Sequence, residues 1–319
     1  MGKYFIKRLL TMIPMLLLIS LIIFAALEFT PGDPLTSLLS PDQAAKLTEE
    51  QTEAFREANG LNGSLAERYI RWLGRVITGN LGCSLVSGAP VSRTLGARMP
   101  ATLELVGFGL ILSTLIGAAL GVIAAINQNK PIDYILTGVG VLGISIPEFF
   151  VGVVAIQMFA INLGWLPTGG RTVESAKTVW EVIQPYILPV IVIGVGFMAN
   201  LIRYTRGAML DVLNKDYIKT ALSKGVPART VYFKHALRNA LQPIMNLVCF
   251  RLPMLIGGSV VIEQVFIWPG MGRTILDAIS TKDYPVVLIC TLLTAVVVLL
   301  ASFLVDIITA LLDPRVRVG

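Results

Sequence analysis

The chain has 319 residues, 55% of them hydrophobic and only 14% charged, with a mean hydropathy of +0.75. Soluble domains carry about 25% charged residues, so this composition excludes an ordinary water-soluble fold. The net charge of +6 follows membrane topology and requires no nucleic-acid partner.

Six apolar runs are long enough to cross a hydrocarbon core of roughly 30 Å: 9–29, 102–126, 135–161, 186–204, 245–267 and 286–312. Backbone groups find no water in lipid, so each run must be helical. The expected fold is an all-α integral membrane bundle in a single domain, with both termini in the cytoplasm.

The first run follows Lys3, Lys7 and Arg8, is longer than a signal-peptide core and lacks a small-residue cleavage site. It reads as a retained span. An outer loop, 30–100, opens with the turn Pro31-Gly32-Asp33-Pro34. Within it, 48–58 is polar at helical spacing. Residues 64–77 set Leu65, Tyr69, Trp72, Leu73 and Val76 near one helical face. That face suits either the membrane interface or an external partner. A glycine-rich, irregular stretch follows over 80–90.

The third run carries Pro147 and Glu148 in its middle, and a proline there predicts a kink. Two short outer loops hold turn residues, Pro167-Thr168-Gly169-Gly170 and Trp268-Pro269-Gly270-Met271-Gly272. The inner segments carry fourteen Lys and Arg, against four in these two outer loops. This bias sets the orientation.

Several chemistries are missing. The chain has no G-x-x-x-x-G-K-[ST], no H-E-x-x-H and no G-x-S-x-G, so catalysis by this chain alone is not expected. Cys83, Cys249 and Cys290 show no metal-ligand spacing. Glu28, Glu104, Glu263 and Asp306 fall near run ends, where side chains can reach the interface. Glu148 and Arg251 lie deeper, about 20 Å and about 10 Å from the inner ends of their runs at the helical rise. Ionisable groups at depth cost about 3 kcal/mol and usually line a polar route. The pair could meet the ammonium and carboxylate of a zwitterionic solute, or each could be satisfied by neighbouring backbone and hydroxyl groups.

The most distinctive segment is the basic inner loop over 216–243, within a cytoplasmic stretch of 205–243. Asp216 suits an N-cap, and Gly225 the left-handed residue that ends a helix. Pro227 suits the first turn of a second helix. Val226, Thr230, Phe233 and Leu237 recur at one less polar face, while Arg229, Lys234 and Arg238 project elsewhere. His235 reads as a structural member of this second helix, and Pro243 as the entry to the next span. The helix–turn–helix could touch anionic lipid or dock a protein.

This segment resembles the EAA loop of ABC-importer permeases, with Thr220 and Ala221 at the alanine positions and Gly225 at the defining glycine. Lys219 stands where many permeases have glutamate, a departure similar to the dipeptide/oligopeptide branch. Further segments resemble that branch in order and spacing over nearly the whole chain. They include Arg71-Trp72-Leu73, Pro100-Ala101-Thr102-Leu103-Glu104-Leu105, Gly164-Trp165-Leu166-Pro167, Asp283-Tyr284-Pro285 and Leu312-Asp313-Pro314-Arg315.

The resemblance implies a type I importer permease, the first permease subunit with the large outer loop, in a bacterial or archaeal inner membrane. It also implies a second homologous permease, two ATPase subunits that bind ATP and Mg, and an extracytoplasmic solute-binding protein. This chain would carry no cofactor of its own. Its ATPase-coupling residues would be Lys219, Thr220, Ala221, Lys224, Gly225, Val226 and Arg229. Glu148 and Arg251 are candidates to line the pathway. Similar permeases serve di- and oligopeptides, glutathione, nickel chelates or oligosaccharides. A secondary transporter built around Glu148 and a membrane-anchored adaptor are the alternatives from other classes.

Overall fold

The computed structural model describes residues 2–29, 48, 50, 53, 62–171 and 177–312. The polar stretch 48–58 therefore lies largely outside the described residues. Among those described, regular structure is helical apart from one bridge pairing Cys83 with Pro90. The helices are α1 (Gly2–Glu28), α2 (Leu65–Ile77), α3 (Val91–Ile126), α4 (Pro131–Ser145) and α5 (Glu148–Ala155). A π-helix, Ile156–Asn162, extends α5. Then come α6 (Val179–Leu213), α7 (Asp216–Ser223) and α8 (Ala228–Thr230), which passes through a second π-helix, Val231–Ala236, into α9 (Leu237–Val265). Last are α10 (Met271–Ser280) and α11 (Tyr284–Leu312).

Among the described residues, four stretches are long and apolar enough to cross a membrane: Arg8–Leu27, Val91–Ile126, Val179–Leu213 and Tyr284–Ile308. α4 and α5 with its π-helix are long and apolar enough only when taken together, and are bent by 100° at the break between them. Pro147 occupies the N-cap of α5 at φ −59°, ψ 134°. An extended backbone at that point turns the expected kink into a break. α9 is 29 residues long, but Arg238, Arg251 and Glu263 interrupt its apolar character. The helix carrying the second apolar run starts at Val91 and runs straight through Pro100.

Close packing of α3 on α6 organises the bundle. Gly109, Ser113, Gly117 and Gly121 repeat every four residues and are all buried. A Cβ at Gly109 would stand 2.5 Å from Ile193, and one at Gly121 2.6 Å from Thr205 and 2.8 Å from the Ile202 carbonyl. Small residues at this spacing let two helices approach in a membrane, where dispersion contacts replace the hydrophobic drive. Leu105, Ile193, Phe197, Leu201, Ile202 and Met209 fill the adjoining core.

Charge pairs clasp the inner end. Asp133, 2% exposed, accepts from Arg206 Nε at 2.5 Å and Nη2 at 2.7 Å, and from the Asn129 amide at 3.0 Å. Arg8 on α1 donates to Asp306 on α11. A second core cluster joins Val91 and Leu95 of α3 to Met271 and Ala278 of α10 and Val286, Val287 and Cys290 of α11. Cys249 and Cys290 are buried and Cys83 is exposed, and no metal-binding group occurs among the described residues.

Candidate functional site

Three places carry polar chemistry: the inner loop, the level of Glu148, and the end holding residues 163–171 and 266–283. The last is the outer end in the topology that the Lys and Arg distribution predicts, and is so named below.

The inner loop is a helix, a tight turn and a helix. The turn is a complete Schellman motif. The Val226 amide donates to the Ala221 carbonyl at 3.2 Å, and the Gly225 amide to Leu222 at 3.0 Å. Gly225 sits at φ +77°, a left-handed conformation that favours glycine. Ala221 and Val226 pack half-buried against the core, the apolar contact that accompanies this motif. Ile218 and Val231, 1% and 0% exposed, fix the two helices to the bundle.

Around these anchors the remaining loop residues face outward. Lys219, Thr220, Lys224, Gly225 and Arg229 are exposed, with Tyr217 and Leu222 among them. Lys219 Nζ pairs with Asp216 at 3.1 Å, and Thr220 Oγ1 donates to the Asp216 carbonyl at 2.9 Å. The seven coupling candidates thus form one structure, with Ala221 and Val226 as its inward face.

Three details of the loop differ from expectation. Lys215, not Asp216, holds the N-cap position. Asp216 is the first helical residue, with a side chain 97% exposed. Pro227 is itself an N-cap, one residue before the helix. The inward face of the second helix is not Val226, Thr230, Phe233 and Leu237, since Phe233 is 51% exposed. The π-helix adds a residue to one turn and shifts the register. Val231, Ala236, Ala240 and Ile244 take the inner face instead, at spacings of five, four and four. Pro243 lies inside α9, which runs continuously through it.

Glu148 and Arg251 converge. Glu148 is the first residue of α5, directly after the break, and is half-buried. Its Oε1 presses against α6 so closely that a Cβ at Gly196 would stand 2.5 Å away. The Arg251 guanidinium carbon lies 5.7 Å from the ring centre of Phe197, the next residue of α6. The Glu148 carboxylate is within electrostatic reach of Arg251. Gly196 and Phe197, consecutive on α6, are the common ground on which the two side chains meet. Asn200 donates to the Gly196 carbonyl at 2.9 Å, adding a third polar group beside them.

The outer end is a bonded cap. Trp268 is wholly buried and donates Nε1–H to the Ala101 carbonyl at 2.8 Å. Tyr186 meets its ring edge-on at 4.8 Å and donates to Glu104 at 2.9 Å. Arg171 holds Glu104 through two bonds of 3.0 and 2.7 Å. Gly169 lies so close to Phe266 that a Cβ would stand 2.2 Å from its carbonyl oxygen.

Glu263 does not reach an interface as expected, for it is 0% exposed. It accepts from Thr102 Oγ1 at 2.6 Å, Ser259 Oγ at 3.1 Å and the Arg273 amide at 3.0 Å, beneath the N-terminus of α10. A strap from the outer loop completes the cap. Ser84 Oγ and the Leu85 amide donate to buried Asp283 at 2.5 and 3.0 Å.

Two family models cover nearly all of the chain. Residues 117–318 match the binding-protein-dependent transport system inner membrane component, and residues 1–106 match the N-terminal part of such components. The chain belongs to this family. It is a multi-helix permease of a binding-protein-dependent ABC importer, located in the inner membrane.

Among curated relatives, the oligopeptide transport system permease protein AppB of Bacillus subtilis is 41% identical over 99% of this chain and all of its own length. A putative peptide permease of Brucella suis is 37% identical over the full length of both. The glutathione transport system permease GsiC of Escherichia coli is 36% identical over 99% of each. The MetNI methionine ABC transporter, solved in inward-facing conformations, includes a chain that superposes with a TM-score of 0.58 at 18% identity. That match covers 70% of this chain and 98% of the solved one, and shows the shared fold.

Proposed function

We propose that this permease moves di- or oligopeptides inward by alternating access, with ATP bound and hydrolysed in two separate subunits and a second homologous permease completing the pathway. Peptide permeases among the relatives support the peptide reading. The glutathione permease favours a second reading, in which the solute is a modified short peptide of that kind. Six segments cross the membrane, α9 included, which leaves both termini and the inner loop on the ATPase side.

The observation that carries the coupling role is the Schellman turn at Gly225. It is an exposed, rigid corner held by buried residues on both flanks. A corner of this kind transmits a push from a docked ATPase as a displacement of α6 and α9, where a floppy linker would absorb it. Lys219, Lys224 and Arg229 supply charge around it, and Tyr217 and Leu222 supply apolar contact area. A solute-binding protein would deliver substrate to the outer cap and the outer loop.

Purification of the tagged chain from its native membrane tests the assignment. It should bring a second permease and two ATPase copies. The chain alone should show neither ATPase activity nor transport. Recovery of an isolated chain that accumulates solute on an ion gradient would establish a secondary transporter instead.

A further inference from the structure

We infer that Glu148, Arg251 and the Gly196–Phe197 step form a charge-matched selection point inside the permease. There the ammonium and carboxylate of a peptide exchange with the protein's own opposite charges. The inference rests on the peptide reading above and adds to it a filter that acts after the binding protein has released its cargo.

The geometry supplies three requirements. First, the two charges come from different helices, α5 and α9, and meet consecutive residues of a third, α6. Both are half-buried, so neither is sealed in the core. Second, Gly196 makes room for the carboxylate, since any Cβ there would stand 2.5 Å from Oε1. Third, the Arg251 guanidinium lies over Phe197, a ring only 2% exposed. An aromatic face attracts the cation, and a guanidinium fork matches a carboxylate.

Electrostatics then defines the ligand. An ionised group at depth is costly, and two opposite groups within reach of one another offset that cost. A peptide with free termini can present its ammonium to Glu148 and its carboxylate to Arg251, keeping the local charge at zero throughout the exchange. An N-acetylated peptide brings only a negative charge and leaves Glu148 without a cation to replace Arg251. A C-terminal amide brings only a positive charge and leaves Arg251 in the reciprocal position. The point therefore passes zwitterions and resists solutes with a single terminal charge.

The test uses the complete transporter with its binding protein in proteoliposomes. ATP-driven uptake of trialanine, N-acetyl-trialanine and trialanine amide is measured, each normalised to its occupancy of the binding protein. Wild type should move trialanine at least tenfold faster than either blocked peptide. Glu148→Gln should lose the discrimination against the N-acetyl peptide and keep that against the amide. Arg251→Gln should do the reverse. A merely structural role would lower all three rates together.

Equal normalised rates in wild type overturn the filter while leaving the peptide reading intact. So do single variants that keep both preferences. Absence of trialanine uptake by wild type overturns the peptide reading and the filter with it. If one variant fails to assemble with its partners, the one-sided change in the other still decides.

Discussion

The two ends of this bundle solve opposite problems with the same kind of residue. At the outer end, polar groups turn inward: buried Glu263 of α9 bonds Thr102 of α3, and Ser84 of the outer strap bonds buried Asp283 in the turn before α11. At the inner loop, polar groups turn outward, and apolar residues such as Ile218, Ala221, Val226 and Val231 hold the segment down. Inward-facing polar groups cross-link the helices into a plate. Outward-facing ones leave a rigid corner free to be gripped. Stability and coupling should therefore separate by location.

The strongest way to break that separation is Gly225→Asp. Among the described residues other than its chain neighbours, no atom lies within 4 Å of where a Cβ would stand, so the bundle itself has room for the side chain. The φ of +77° strains it only modestly, and under the coupling role proposed above the added charge opposes ATPase docking. Uptake should fall at least a hundredfold while membrane insertion and thermal stability stay near wild type. Gly225→Asn, which shares the tolerance of Asp for the left-handed region but carries no charge, should recover part of the uptake. Equal loss in both variants would assign the defect to bulk at the docking surface alone.

Trp268→Ala makes the reciprocal case. Removing a fully buried indole should cost about 3–5 kcal/mol, read as an earlier thermal exposure of Cys249 and Cys290 to a thiol-reactive dye. ATPase docking in co-purification should persist. Glu263→Gln should cost less, about 2 kcal/mol, because an amide keeps the shape but loses charge-assisted bonds to Thr102 and Arg273. If either outer variant uncoupled hydrolysis from transport without lowering stability, the outer plate would belong to the coupling machinery.

Much of the inner loop was legible from local rules. Gly225 as a left-handed stop needs no tertiary information, and the structure places it so. What local rules missed there was register: a π-turn at Val231–Ala236 adds one residue, and no single side chain announces it. The outer end was nearly illegible. Glu263 sits near the end of its apolar run and reads as an interface residue. Its burial depends on Thr102, 161 positions earlier, and on the fold of α10. The four-residue spacing of Gly109, Ser113, Gly117 and Gly121 stands in the chain and passed unread, and only the packing shows that it marks the α3–α6 contact. The convergence of Glu148 with Arg251 depends on how α5, α6 and α9 pack, which spacing along the chain does not carry.

The smallest effect concerns α2. Glu67 closes a capping box with Ser64, and the bonds from the Ser64 backbone and hydroxyl hold its carboxyl below the ordinary value. A depressed folded pKa contributes stability above the unfolded value and loses it as pH falls through the folded one. Protection of the first-turn amides of α2, corrected for the intrinsic pH dependence of exchange, should therefore be full near neutrality and fall in acid, below the ordinary carboxylate range. Glu67→Gln should show no such pH step. Tyr69 holds the same helix to α1 through Ser20 at 2.8 Å and is untouched by this titration, so α2 should stay attached while its first turn frays.

The Arg8–Asp306 clasp joins positions 298 residues apart, and the Ser84–Asp283 strap joins positions 199 apart. At roughly 5–20 residues per second of synthesis, the first helix waits on the order of 15–60 s for the partner that completes its inner end. Until then Arg8 lacks the carboxylate that it meets in the finished bundle. A ribosome that stops before residue 306 releases a chain whose first and last helices were never clasped.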